Sequence, residues 1–266
     1  MSSATDVQTA AGILWVHWQA GSVLAALPEA IRPQSRADGY AVQSILATRA
    51  RQGLIGWKIA ATSAAGQTYI GVDGPLAGRL LGERTFAAGT TLNLTSNRMR
   101  VAEPGFAFRS GRDLRPRRQP YKVAEVVDAM DAVMPALEVP DSRFADRATA
   151  GAAQLIADNA CAHEFVLGTP RPVDWRRLDL AHFPVHATLT NADGQKTERD
   201  GSGANVLGDP RVALTWLVNE LSHFGLTLTA GQIVTTGTCM QPLSLVPGDH
   251  VRADFGVLGT IEARFV

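Results

Sequence analysis

Two segments decide how this chain is read: Arg98-Met99-Arg100-Val101-Ala102-Glu103-Pro104-Gly105-Phe106-Ala107-Phe108 and, further on, Met134-Pro135-Ala136-Leu137-Glu138-Val139-Pro140-Asp141-Ser142-Arg143. Each is a short apolar strand broken by one carboxylate, Glu103 in the first and Glu138 in the second. An ionised carboxylate leaves water only when a cation or several donors meet it. A Glu set among Ala, Val, Leu and Phe therefore marks a place where a charged partner is expected, unless it simply faces solvent from an edge strand. Between the segments Val123, Val126, Val127, Met130 and Val133 fall at helical spacing and predict a helix over 121–133. Strand, helix and strand would bring both carboxylates to one region of a sheet. Arg100, Arg109, Asp141 and Arg143 lie on the same elements and add charged company. Carboxylate oxygens suit Mg²⁺ or Mn²⁺, so the expectation is a small-molecule site reached through a divalent metal.

Working outward, the chain has 266 residues, 45% hydrophobic content and a formal net charge of zero, enough to bury a large core. A neutral balance removes the electrostatic case for a nucleic-acid or anionic-membrane partner and leaves a small substrate. Cys161 and Cys239 cannot form a disulfide framework. The N-terminal residues lack the basic region and apolar core of a signal peptide, and no apolar run approaches a membrane span, so the expected location is cytoplasmic.

Ahead of the two segments, Ala11, Leu14, Trp15 and Trp18 predict an amphipathic first helix over 7–20. A second helix is expected from Asp38 as N-cap to Gly53. Residues 1–55 thus read as an N-terminal helical region and 56–266 as the catalytic core. Residues 57–61 and 85–94 read as strands, 69–81 as a loop and 147–162 as a helix. Residues 183–190 and 195–199 read as a hairpin about Asn191-Ala192-Asp193-Gly194. A helix follows Asp209-Pro210, and strands end the chain.

Three of the basic residues are lysines, and Lys58 alone sits in an apolar run, Leu54-Ile55-Gly56-Trp57-Lys58-Ile59-Ala60-Ala61. Desolvation there lowers an ammonium pKa and makes Lys58 a proton donor and acceptor, or a Schiff-base former, against the plain reading of a lysine at a strand end. Cys161 reads as buried and inert. No Gly-x-Ser-x-Gly elbow, dinucleotide fingerprint or P-loop is present.

Taken together, Gly56-Trp57-Lys58-Ile59-Ala60-Ala61-Thr62-Ser63, Gly71-Val72-Asp73-Gly74-Pro75, Glu103-Pro104 with Phe106-Ala107-Phe108, Ala136-Leu137-Glu138-Val139 with Asp141-Ser142-Arg143, Asp158-Asn159-Ala160, and Ala253-Asp254-Phe255-Gly256 form an ordered set. Over residues 36–266 the chain resembles the 2-hydroxypenta-2,4-dienoate (2-keto-4-pentenoate) hydratases and the related 4-oxalocrotonate decarboxylases of the fumarylacetoacetate hydrolase superfamily. The resemblance implies an α+β fold with a mixed, rolled β-sheet core and outer helices, assembled as a homo-oligomer. It implies a lyase of aromatic-compound catabolism that adds water to a small 2-oxo-enoate or 2-hydroxydienoate through a metal-stabilised enolate. Decarboxylation of a 2-oxo dicarboxylate is the alternative, as is a divergent metal-independent member or a binding relic without chemistry. Lys58 matches the active-site lysine, Glu103 and Glu138 match two of three metal-binding carboxylates, and Thr62, Ser63, Gly237 and Thr238 are candidates for holding the substrate carboxylate. The remaining one, the second carboxylate of the family's Glu-x-Glu, falls on Gly105, which puts Mg²⁺ or Mn²⁺ in question. Leu76 and Cys161 depart from an aspartate and a serine common in the hydratases.

Overall fold

A computed structural model describes residues 3–266. In chain order the elements are α1 (Ala4–Ala20), α2 (Arg36–Ala47), β1 (Leu54–Ala60), α3 (Ala64–Tyr69), β2 (Leu76–Leu81), β3 (Thr85–Ala87), β4 (Thr90–Leu92), β5 (Val101–Ser110), α4 (Val123–Ala129), β6 (Met130–Val139), α5 (Ala152–Ala157), β7 (Glu164–Leu167), β8 (Pro184–Thr190), β9 (Lys196–Ser202), α6 (Pro210–His223), β10 (Ile233–Thr238), β11 (Leu243–Ser244), β12 (His250–Asp254) and β13 (Thr260–Phe265).

One mixed sheet runs β2-β1-β10-β5-β6-β7-β3, with β11 on the side of β5; a second runs β4-β13-β12-β8-β9. The first sheet curls into a half-barrel, with helices outside it and an N-terminal helical region at one end. Phe106 of β5 fastens the sheets together. Its ring meets Phe255, just after β12, edge-on at 5.2 Å and 89°, a geometry that aromatic quadrupoles favour. α6 and the buried faces of both sheets add Leu214, Leu217, Val251 and Ile261 to this core.

Local chemistry explains most boundaries. Ser3 and Asp6 form a capping box at the start of α1, and Gly21 closes it in the left-handed conformation. The second helix begins and ends earlier than expected: Ser35 is the N-cap, Asp38 is the third helical residue of a capping box, and the helix stops at Ala47, short of Gly53. Asp209 caps α6 with Pro210 at its first turn, as the sequence indicates. α1 and α2 pack Leu14, Trp18, Val42 and Leu46 against Leu81, Phe144 and Ala157 in a smaller apolar cluster.

Other expectations need correction. The loop expected over 69–81 ends at Pro75, because Leu76–Leu81 is strand β2, buried at every position. The helix expected over 121–133 stops at Ala129, so Met130 and Val133 belong to β6. Residues 85–94 split into β3 and β4, which join different sheets. The helix expected over 147–162 is cut to one short α-turn and a 3₁₀ turn at Asn159–Cys161, where Asn159, Ala160 and Cys161 all have positive φ.

Candidate active site

β5 and β6 pair antiparallel in a register that places Glu103 directly opposite Glu138, so the two carboxylates share one face of the sheet. β1 lies three strand positions from β6, in the order β1-β10-β5-β6. In a flat sheet that separation is roughly 14 Å, which a lysine and a glutamate side chain cannot bridge. The curl closes the gap. Lys58 Nζ of β1 lies 2.8 Å from Glu138 Oε2, both side chains about 95% buried. From β10 between them, the Thr235 hydroxyl donates to Glu138 Oε1 at 3.0 Å.

Both oxygens of Glu138 are thereby occupied by an ammonium and a hydroxyl. Burial alone would depress the Lys58 ammonium, as sequence reasoning expects; Glu138 and Glu103 outweigh it and the pKa is raised. That is a correction of direction: the lysine stays charged at neutral pH. Glu103 differs. The residue keeps some exposure, and its carboxylate accepts no hydrogen bond from another described residue. Burial pushes it up to about 7, with Lys58 drawing it down and Glu138 pushing it further up. It is poised to hold or release a proton near neutrality.

Gly78 of β2 stands across from Lys58 in the β1–β2 ladder. A Cβ there would lie 2.3 Å from the Asn159 carbonyl oxygen and 3.0 Å from Lys58 Cγ. The absence of a side chain lets the 159–161 turn press against the lysine. Asn159 is fixed to β2 by bonds to both backbone groups of Arg79, at 2.7 and 2.9 Å. Ala160 and Cys161 hold a left-handed backbone at some cost in strain. Burial pushes the Cys161 thiol up to about 11, so it is no nucleophile at neutral pH.

The charged company expected at the carboxylates is elsewhere. Arg109 pairs with Asp131 at 2.7 Å on the surface, Arg143 pairs with buried Asp158, Arg100 bonds Asn97, and Asp141 accepts the backbone of Arg98 and Met99. Arg147 was missed. It is close enough to Glu103 and Cys161 to influence their ionisation, and it donates to the Tyr69 hydroxyl at 3.2 Å. Thr235 was missed too, since Gly237 and Thr238 drew attention within the same run. Of the four candidate carboxylate holders, Thr62 is buried and packs against Gly237, whose φ is 92°. Ser63 is exposed and caps α3, and the Thr238 hydroxyl donates to the Met240 carbonyl at 2.8 Å.

A divalent metal does not fit this donor set. At Gly105 a Cβ would lie 2.3 Å from the Gly237 carbonyl oxygen, so the backbone of β10 fills the space a third carboxylate needs. The β5–β10 register shifts at this point, between Thr235 and Thr238. With Glu138 engaged, Glu103 alone remains, and no group of three His, Cys, Asp or Glu among the described residues could hold a metal ion. A hard cation wants several oxygens at once.

Known proteins share this fold. The fumarylacetoacetate (FAA) hydrolase C-terminal family matches residues 88–266. A 2-keto-4-pentenoate hydratase of Paraburkholderia xenovorans (strain LB400) is 31% identical over 97% of this chain and 94% of its own. The chain belongs to the 2-keto-4-pentenoate hydratase/4-oxalocrotonate decarboxylase family. A second relative in that family, a 4-oxalocrotonate decarboxylase of Pseudomonas putida, is 28% identical over 86% of this chain and 85% of its own. The solved 4-oxalocrotonate decarboxylase from Pseudomonas putida G7, complexed with magnesium and adipate, matches with a TM-score of 0.88 at 24% identity, covering 100% of this chain and 99% of that one. Membership of the hydratase/decarboxylase family supports enzymatic activity of the lyase type. Against the family's motifs, Leu76 is a fully buried strand residue paired with Ala60, so that departure adds to the core.

Proposed function

We propose that this chain is a lyase acting on a small 2-oxo acid, with its proton transfers carried by Lys58, Glu138 and Glu103 and with no resident divalent cation. The observation that carries this reading is the sealed Lys58–Glu138 pair with Glu103 opposite and the Gly105 position closed by Gly237. In such a site the positive charge that meets a developing enolate is the Lys58 ammonium.

Decarboxylation of a 2-oxo dicarboxylate of the 4-oxalocrotonate kind asks least of these groups. The bond to the departing carboxylate breaks, its electron pair runs through the conjugated chain to the 2-oxygen, and carbon dioxide leaves. Lys58 faces the resulting dienolate and delivers a proton, which Glu103 in its neutral form restores. No water has to be activated. Hydration is the second reading, favoured by one observation: an unbonded Glu103 carboxylate with a pKa of about 7 suits removal of a proton from water.

Chelator-treated enzyme, assayed for carbon dioxide release from 4-oxalocrotonate and for loss of 2-hydroxypenta-2,4-dienoate, tests both readings. Turnover is expected to survive the chelator, with Lys58→Ala lowering kcat by at least about 10²-fold. Activity abolished by chelation and restored by Mg²⁺ would overturn the metal-free assignment. The dependence of kcat/KM on pH separates the two chemistries. A proton-donating Glu103 loses activity above about pH 7, and a water-activating one loses it below.

A further inference from the structure

Away from the Lys58 centre, α1 and the turn after β2 enclose a cavity of about 550 Å³, within the usual size of small-molecule sites. Its wall carries three guanidinium groups, Arg49, Arg51 and Arg84, two indoles, Trp15 and Trp18, and a single carboxylate, Glu83. Glu83 is already spent: its oxygens accept the backbone N–H groups of Arg51 and Gln52 at 3.0 and 3.2 Å. Arg49 and Arg51 make no ion pair among the described residues, and the nearest carboxylate oxygen to Arg84 is Glu164's, at 3.7 Å. With Arg84 paired to Glu164, Arg49 and Arg51 are the cavity's uncompensated charges, and in a chain with no net charge they point to an anionic occupant.

The indoles give that occupant a shape. The Trp15 and Trp18 rings are 6.2 Å apart and inclined at 57°; Trp18 is covered by Arg143 and His163, which leaves half-buried Trp15 as the apolar face on which a flat group can rest. Trp18 is 4% exposed, and its Nε1 donor has no hydrogen-bond partner. Directly behind it, His163 stacks on the indole at 6.0 Å, and His163 Nδ1 and Glu164 Oε2 are also without partners.

We infer that the cavity is a binding site for a small planar organic dianion, its two carboxylates held chiefly by Arg49 and Arg51 and its plane resting against Trp15. Guanidinium groups bind carboxylates through paired, charge-assisted hydrogen bonds. Titration of the intact protein with phthalate, followed by calorimetry and by tryptophan fluorescence, tests the site. Phthalate is expected to bind with Kd below about 1 mM, to change the indole emission, and to bind more weakly as salt is raised. The double variant Arg49→Gln/Arg51→Gln, whose substitutions fall at exposed positions, is expected to lose about tenfold or more in affinity. Inorganic phosphate should bind at least about tenfold more weakly than phthalate. No phthalate binding, an affinity unchanged in the double variant, or equal binding of phosphate would each overturn the assignment.

Discussion

Glu103 and Glu138 face each other across one ladder yet live in different electrostatic worlds, because Glu138 holds the lysine and the threonine while Glu103 holds neither. The unpaired carboxyl carries a thermodynamic signature. Its pKa rises on folding from 4.5 to about 7, so between those values the folded chain binds the proton more tightly than the unfolded chain. Stability therefore falls as pH rises through that window, and the penalty is complete above it. Glu103→Gln removes it. Relative to this variant, the wild type is expected to lose on the order of 1–3 kcal/mol between pH 4.5 and 8 in urea unfolding; parallel profiles would show a solvated carboxyl. Both glutamates were legible as isolated charges in apolar runs. The ionisation of Lys58 was not, since desolvation by its own neighbours points one way, and only pairing with strands distant in sequence reverses it.

At the level of single elements, the contact of β5 with β10 decides what the site can hold. Gly105→Ala drives a methyl group into the Gly237 carbonyl and is expected to cost about 1–3 kcal/mol, read as a lower urea midpoint with an unchanged slope. Gly105→Glu is expected to destabilise at least as much and to gain no Mg²⁺-dependent rise in Tm. A gain would mean that β10 yields and that the third carboxylate position is still open. Strands with one wet face, such as β8 and β9, were readable from alternation and the turn between them. β2 was not, because Leu-Ala-Gly-Arg-Leu-Leu is buried on both faces and shows no period. The helix ahead of β6 ran too long on paper because Met130 and Val133 continue its apolar spacing while already paired in the ladder.

Across the molecule, one of the ties between the N-terminal helices and the sheet that carries Lys58 runs through a buried ion pair. The Arg143 guanidinium lies 4.3 Å over the Trp18 ring of α1 and bonds Asp158, which also accepts from the Ser142 hydroxyl at 2.8 Å. Removing one member of such a pair leaves an unmatched charge in the interior. Asp158→Ala is expected to cost about 3–5 kcal/mol and to alter Trp18 emission; a change under about 1 kcal/mol would show the pair to be incidental. The α+β architecture and its N-terminal helices were legible from motifs in order. The fastening was not, because Arg143 was read with the carboxylates of the sheet.

The order of strands carries one more consequence. β1 takes its inner neighbour from β10, with Lys58 beside Thr235, and the hydroxyl that steadies Glu138 comes from 97 residues later in the chain. During synthesis on the ribosome, the early half of the sheet therefore waits with an open edge for a strand made near the finish. Such non-local closure makes for slow folding, and the waiting edge is the part of the nascent chain most in need of a chaperone.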